Sequence, residues 1–590
     1  MSQWLLEIFF KGNKHDFVSM VDITQLLIKM NQILKWIKNE WSFIFWMTAF
    51  NFTYIENFRI DNHGSHQIAE FISLGISNVF LPVILLDILI LLLFGHWERI
   101  CRAVKIFFLA VNVCLFTIDI FTIFYYGIPM DRAMFEVALA TNFREGSEFL
   151  EMYIFNINLW GILFIIAFSL SLLRYFIGLL SKNKSGFLIL SFSIAIFLAY
   201  SIYNTSFYHY DPQKAIAVFR LSSMLKGVYY DKIALKEMED GNQAEIILTK
   251  NESRIPYVVF ILGESTTRNR MSLYGYSLPT NPLLSERRRN EEIYVFNDVI
   301  SPHSHTMLVM EKLFTFYRSG DKGSWFNYKN LFSIIQAAGY HTVWLSNQES
   351  AILGVIGKFF AEKCDINRFT LLRDRWDEGI SYDEKILPLL DEILLLSSSF
   401  DKNFYVLHLM GTHMSYHYRY PSDFSKFSFS DEDGFDGITD AQKKIRAEYD
   451  NAILYNDFIV NEIIKRFENK NAIVIYISDH GEEVYEEKNF FGHEESIGSR
   501  YMIEIPMLIW VSKEFQDAFP DLEKRIAQST EKPFMTDDML HVILDIMDIE
   551  SEEYRSELSI INQSFNEERI RIYSGMEYHK NTGLLKHRLH

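Results

Sequence analysis

Up to about residue 206 the chain is dominated by apolar runs long enough to cross a bilayer, and several of these in succession leave a membrane bundle as the fold to expect. A spanning helix needs about 20 mostly apolar residues. Four runs meet or approach that length: Phe71 to His96, Ile106 to Tyr126, Ile154 to Leu172 and Phe187 to Tyr203. A fifth, Trp41 to Phe58, is shorter and carries Asn51, Thr53 and Glu56. No basic region with an apolar core and a small-residue cleavage site precedes it, so a cleavable signal peptide is not expected. Beyond residue 206 charged, helical and strand-like segments alternate as in an α/β domain. The expectation is a five-helix transmembrane domain over residues 1–206, a helical linker over 207–250 and a soluble domain over 251–590.

Basic residues set the orientation. Lys35 and Lys38 precede the first span, Arg99, Arg102 and Lys105 lie between the second and third, and Arg174, Lys182 and Lys184 lie between the fourth and fifth. With five spans all of these share one side, which the positive-inside rule makes cytoplasmic, and the odd count puts the soluble domain outside. Asp87 and Asp119 fall inside apolar runs, where a carboxylate is costly and marks either a functional group or a polar contact between helices. Neither is placed in the active site. The outside loop from Gly127 to Glu151 contains MFEVALATNFREGSEFLEM, whose apolar spacing suits a helix on the membrane surface or a simple connecting helix.

The net charge of −18 and the lack of a clustered basic face exclude a nucleic-acid partner. Of the three cysteines only Cys364 lies in the soluble half, which therefore has no internal disulfide and must draw its stability from core and metal.

In that half, Tyr257 to Gly263, His341 to Ser346, Asn403 to Gly411, Ala472 to Ser478 and Ile505 to Ser512 are continuous apolar runs. Such runs predict buried strands of a largely parallel sheet, with the intervening helices covering both faces. Ligands gather beyond the carboxyl ends of strands in such sheets. Glu264 follows the first run, His413 the third, and Asp479 and His480 the fourth. Two carboxylates and a neutral imidazole on one rim suit Zn²⁺ or Mn²⁺. Thr306 opens the apolar, helix-like run TMLVMEKLF. Its hydroxyl there is either a nucleophile favoured by the helix dipole and a metal or a plain N-cap, and spacing alone favours the N-cap.

Five segments in order carry a family resemblance: GESTTRNRMSLYGYSLPTNP (Gly263 to Pro282), DVISPHSHTM (Asp298 to Met307), LHLMGTHMSYHYRYP (Leu407 to Pro421), YDNAILYND (Tyr449 to Asp457) and SDHGEEVYEEKNFFGHE (Ser478 to Glu494). Together with the five-span anchor and ATNFREG in the outside loop, the chain resembles the phosphoethanolamine transferases of the alkaline phosphatase and sulfatase superfamily. The resemblance implies an alkaline phosphatase-like soluble domain. It makes Glu264, Asp479 and His480 zinc ligands, Thr306 the nucleophile and fourth ligand, and His413 and His493 holders of the phosphoryl group or of a second metal. It further implies a ping-pong reaction: phosphatidylethanolamine yields diacylglycerol and a phosphoethanolamine-threonine, and an acceptor hydroxyl then displaces the threonine. The expected location is the bacterial inner membrane, with the catalytic domain in the periplasm.

Two departures bear on the acceptor. WLSNQESAILG has Gln348 at the polar position where lipid A-modifying members carry a nearby lysine, and Ile352 stands near the lysine's place. SPHSHT replaces the CGT-like sequence before the nucleophile. Both look more like the branch acting on sugar acceptors, which points to a lipopolysaccharide core sugar or another envelope glycan. His303 and His305 either contact substrate or pack the loop. The rival readings are a phosphoglycerol transferase using phosphatidylglycerol and a non-catalytic membrane scaffold.

Overall fold

The computed structural model describes residues 40–51, 79–126 and 220–229, isolated positions between 130 and 174, and residues 246–585 apart from 350–353, 372–380, 397–398, 433–437, 496, 574–575 and 581–582. The chain falls into two compact units. One comprises Met1–Phe135 with Asn156–Tyr229, the other Glu136–Phe155 with Tyr230–His590.

In the first unit, residues 40–49 are helical, followed by α1 (Leu81–Phe94) and α2 (Glu98–Tyr126). Among the described residues only α2 is long and apolar enough to cross a membrane, so the expected five spans are not reproduced. The run from Phe187 to Tyr203 lies outside the described residues, and that from Ile154 to Leu172 is described only at scattered positions. Of the run from Phe71 to His96, the described residues begin at Val79; Val79 and Phe80 are already helical, α1 carries Pro82 in its first turn, and Gly95 follows its last residue. α2 begins eight residues before the expected Ile106 and takes in Arg99, Arg102 and Lys105, which the apolar spacing places between spans. A long basic side chain lets a helix run on into the polar boundary. Lys105 instead turns inward to Asp87 at 2.6 Å and Glu40 at 2.5 Å. Asp87 is thus a polar contact between α1 and α2.

The second unit is built on a seven-stranded sheet. Its strands are β1 (Tyr257–Gly263), β2 (Ile293–Phe296), β3 (His341–Glu349), β4 (Ile366–Leu371), β5 (Asn403–His408), β6 (Ala472–Ser478) and β7 (Met507–Val511), in the order β2-β7-β6-β1-β5-β3-β4. β6, β1, β5, β3 and β4 are mutually parallel, while β7 runs antiparallel to both β6 and β2. The sheet is therefore mixed. A parallel return needs a crossover, usually a helix, but among the described residues between β6 and β7 the chain forms a short hairpin and the four-residue helix Arg500–Ile503. It re-enters the sheet from the end it left.

Side chains alternate between two cores, as strand geometry requires. Val258, Phe260 and Leu262 of β1 join one apolar cluster with Trp344, Phe404, Ile475 and Met539, while Val259 and Ile261 join another with Tyr405, Val474, Ile453 and Ile459. The latter face is covered by a 26-residue helix, Asp440–Lys465, started by a capping box between Thr439 and Gln442. Burial on both faces explains why the central strands are apolar throughout. It also fixes their carboxyl ends as the place where polar groups emerge. The linker expected over 207–250 is described at helical residues 220–229 and at Leu248–Asn251, a strand pairing with Ile549–Ser551.

Candidate active site

Glu264 directly follows β1, and Asp479 and His480 directly follow β6, its parallel neighbour. Their ligand-capable atoms all lie within 4.8 Å of one another and all three side chains are buried. The turn that brings them together is tight. Ser265 takes a left-handed backbone (φ 59°), its N–H donating to Asp479 Oδ1 at 2.9 Å and its carbonyl accepting from the Tyr449 hydroxyl at 2.7 Å. Gly411, also left-handed (φ 52°), passes so close that a Cβ there would lie 2.8 Å from the Glu264 nitrogen.

Thr306 is the first residue of helix α3 (Thr306–Leu313), as its position before an apolar run predicts. Its hydroxyl makes no cap. It donates instead toward Glu264, 3.2 and 3.1 Å from the two carboxylate oxygens, and lies 3.4 Å from His480 Nε2. His480 Nδ1 is 2.9 Å from the Gly481 carbonyl, so that nitrogen carries a proton and Nε2 faces the cluster.

The electrostatics are those of a cation site. Burial and the Glu264 charge push Asp479 up to about 7, and its Oδ2 has no hydrogen-bond partner. Against its own burial, Glu264 is held well below the usual carboxylate range by the hydrogen bond and charge of His480. His480 is likewise raised to about 10, its burial outweighed by Asp479 and Glu264. Two buried carboxylates that only one imidazole can neutralise, with an orphaned oxygen among them, fit a divalent ion with mixed N and O ligands.

The other sequence candidates converge on the same rim. The ring of His493 lies 4.2 Å from that of His480, 5.4 Å from that of His305 and 6.3 Å from that of His413, centroid to centroid. Burial and the charge of His480 hold His493 well below its usual pKa. It is therefore neutral and directs Nδ1 to Glu482 at 2.7 Å, and Tyr416 donates to the other Glu482 oxygen at 2.6 Å. Gln348 of β3 reaches Glu264 Oε2 at 3.3 Å and the Leu409 carbonyl at 3.2 Å. His305, buried and lowered to about 3 by burial and by His493, faces inward, whereas His303 turns away to Glu495 at 2.9 Å.

Residues 256–549 match the sulfatase family model. They form a sulfatase-family domain. Over 323 residues the chain is 31% identical to phosphoethanolamine transferase EptC of Escherichia coli strain RS218, covering 54% of this chain and 55% of that protein. The chain thus spans about half the length of the curated relatives it matches. The C-terminal periplasmic domain of Escherichia coli EptC, crystallised in complex with zinc, superposes with a TM-score of 0.53 at 29% identity, covering 58% of this chain and 96% of that one. The integral membrane protein EptA of Neisseria meningitidis shares the fold over 88% of this chain and 98% of its own, with a TM-score of 0.55 at 22% identity.

The sequence reading missed three groups around the sulfatase domain's rim. Glu495 accepts from His303, from the Ser304 amide at 2.9 Å and from the Ser304 hydroxyl at 3.2 Å, and Tyr573 bonds that hydroxyl at 3.0 Å. Buried Asp383 accepts from the Met410 and Gly411 amides at 2.8 and 2.9 Å and so shapes the loop before His413. Glu482 was visible only as one of several acids in DHGEEVYEE. None of these carries a local signal, since each acts across 27 or more residues or beside chemically identical neighbours.

Proposed function

We propose that this chain transfers phosphoethanolamine from phosphatidylethanolamine to a hydroxyl of an envelope glycan, a lipopolysaccharide core sugar being the first choice, through a phosphothreonine at Thr306. The observation that carries the reading is the Thr306 hydroxyl, aimed at Glu264 and His480 rather than at its own helix. The similarity to named phosphoethanolamine transferases supports the choice of group transferred. The reading places the chain in a bacterial inner membrane by its N-terminal part (1–206), with a linker (207–250) and a periplasmic catalytic part (251–590).

Glu264, Asp479, His480 and Thr306 would hold the metal, zinc by analogy with the EptC crystal structure and manganese as the alternative. Zinc bound there lowers the pKa of a coordinated hydroxyl and stabilises charge on phosphoryl oxygens. Thr306 Oγ1 forms the new bond to phosphorus, the bond from phosphorus to the diacylglycerol oxygen breaks, and that oxygen leaves with a proton as diacylglycerol. In the second half, the acceptor oxygen bonds to phosphorus and the bond to Thr306 Oγ1 breaks. The acceptor's proton passes to the rim and Thr306 is restored. Neutral His493, braced by Glu482, and His413 and His305 beside it supply imidazoles to hold the phosphoryl oxygens. Gln348 positions Glu264 and offers an uncharged amide at the acceptor side.

Thr306→Ala is expected to abolish transfer while leaving a folded, zinc-binding protein. The test incubates the protein with phosphatidylethanolamine and separately with phosphatidylglycerol and seeks the mass added to Thr306. A glycerol phosphate adduct, or transfer by the alanine variant at the unmodified rate, would overturn the proposal.

A further inference from the structure

Asp119, the acid left over from the catalytic reading, lies in α2 seven residues before its end at Tyr126, roughly 10 Å inside at 1.5 Å per residue. With Arg99, Arg102 and Lys105 at the other end of α2, the positive-inside rule makes the Tyr126 end the outer one. The Asp119 side chain is 2% exposed and is paired with Arg220, itself 5% exposed and the first residue of the helical segment 220–229 that precedes the catalytic unit in the chain. The same guanidinium donates to the Met130 carbonyl at 3.2 Å, and Asp119 Oδ1 accepts from the Met130 amide at 3.2 Å. The pair thus closes on both polar groups of a single residue in the outside loop.

Packing around the pair follows helical spacing. Val111, Leu115 and Asp119 form one stripe of α2, and Arg220, Leu221 and Met224 form one face of the segment. Leu115, Met130 and Met224 are buried together, with Val111 and Leu221 against them. Leu225 and Tyr229, on the other face, are exposed. A carboxylate at this depth needs a counter-charge, and Arg220 supplies it.

We propose that Asp119 and Arg220 form a latch that seats helical residues 220–229 on the outer end of α2. The latch fixes the point from which the chain leaves the membrane unit, which makes both positioning residues for transfer from a lipid held in the bilayer. The inference rests on the proposed function for its choice of donor. A phospholipid in a bilayer presents its phosphorus at one height, whereas a short-chain donor in solution reaches the site from any direction. Loss of the latch therefore penalises the first donor and spares the second.

The experiment uses the full chain in phosphatidylethanolamine vesicles, and in detergent with dihexanoyl-phosphatidylethanolamine below its micellar concentration, with the rate of adduct formation on Thr306 as readout. Arg220→Ala and Asp119→Asn are expected to slow the vesicle reaction at least about tenfold and to leave the soluble-donor rate within about twofold, as misplacement of a reactant does. Arg220→Lys is expected to restore most of the vesicle rate. A second readout is tryptic cleavage at Lys226, on an exposed part of the segment, which the alanine variant should accelerate at least about fivefold as local opening becomes easier. Equal losses with both donors, or unchanged cleavage at Lys226, would overturn the latch. Wild-type protein that gives no adduct with either donor overturns the functional reading alone, and cleavage at Lys226 still decides the latch.

Discussion

Glu495 is the residue on which the loop before Thr306 turns. Its carboxylate collects three hydrogen bonds from His303 and Ser304, two residues before Thr306, and Tyr573 ties Ser304 from the other side. Glu495→Ala leaves the Ser304 amide without its acceptor and lets the loop drift. The expected result is a fall in kcat of roughly tenfold to a hundredfold, with KM for the donor and bound zinc, measured by elemental analysis, nearly unchanged. A parallel loss of zinc would show that Glu495 builds the metal site rather than the approach to it. The ligand candidates were legible in the sequence because Glu264, Asp479 and His480 each end an apolar strand, where a polar residue has little structural reason to be. Glu495 was not, because its partners lie more than 190 positions away and its neighbours are also acids.

At the scale of elements, the central strands were readable because burial on both faces makes them apolar throughout, and the outer ones were not. β2 has only four residues, too short a run to stand out, and β4 has six that include Asn367, Arg368 and Thr370; each takes its place from the neighbour it pairs with. The direction of β7 was equally hidden, since it depends on the missing crossover helix after β6. One element contact invites a test. Arg270, in the turn after β1, is 1% exposed and bonds Asp450 of the helix Asp440–Lys465 through two nitrogens, at 2.7 and 2.8 Å, and Glu432 and Glu486 at 2.7 and 2.5 Å. Removing one member of a buried ionic network costs about 3–5 kcal/mol, here because Asp450 stays buried without its cation, although Arg446 still reaches Glu432 and Glu486. Arg270→Ala should destabilise the catalytic unit by about that amount in a denaturant titration, and a change below about 1 kcal/mol, the size of an exposed pair, would show that water reaches the cluster.

At the scale of the whole molecule, the two units are stabilised by different means, and metal removal should separate them. The first unit joins its helices through the Asn51 to Asn112 hydrogen bond at 2.7 Å and the Lys105 to Asp87 pair, neither of which involves a residue proposed to hold the metal. The catalytic unit encloses Glu264 and Asp479 within reach of each other, and a cation that binds the folded state alone stabilises it by mass action. At a free concentration one hundred times its Kd, the ion adds about 2.7 kcal/mol. For a domain of this size that corresponds to a few degrees in Tm. Chelation of the full chain should therefore lower the Tm of the catalytic unit by a few degrees and return it on adding zinc, while the helical signal that survives that transition keeps its own midpoint. With Asp479→Asn one buried charge is gone, so the apo protein should melt higher than unmodified apo protein and gain less from zinc. The two effects have one cause, the repulsion of paired carboxylates, and an asparagine variant that loses stability in the apo state would show that Asp479 is held by its hydrogen bonds to Ser265 and His480 rather than opposed by Glu264.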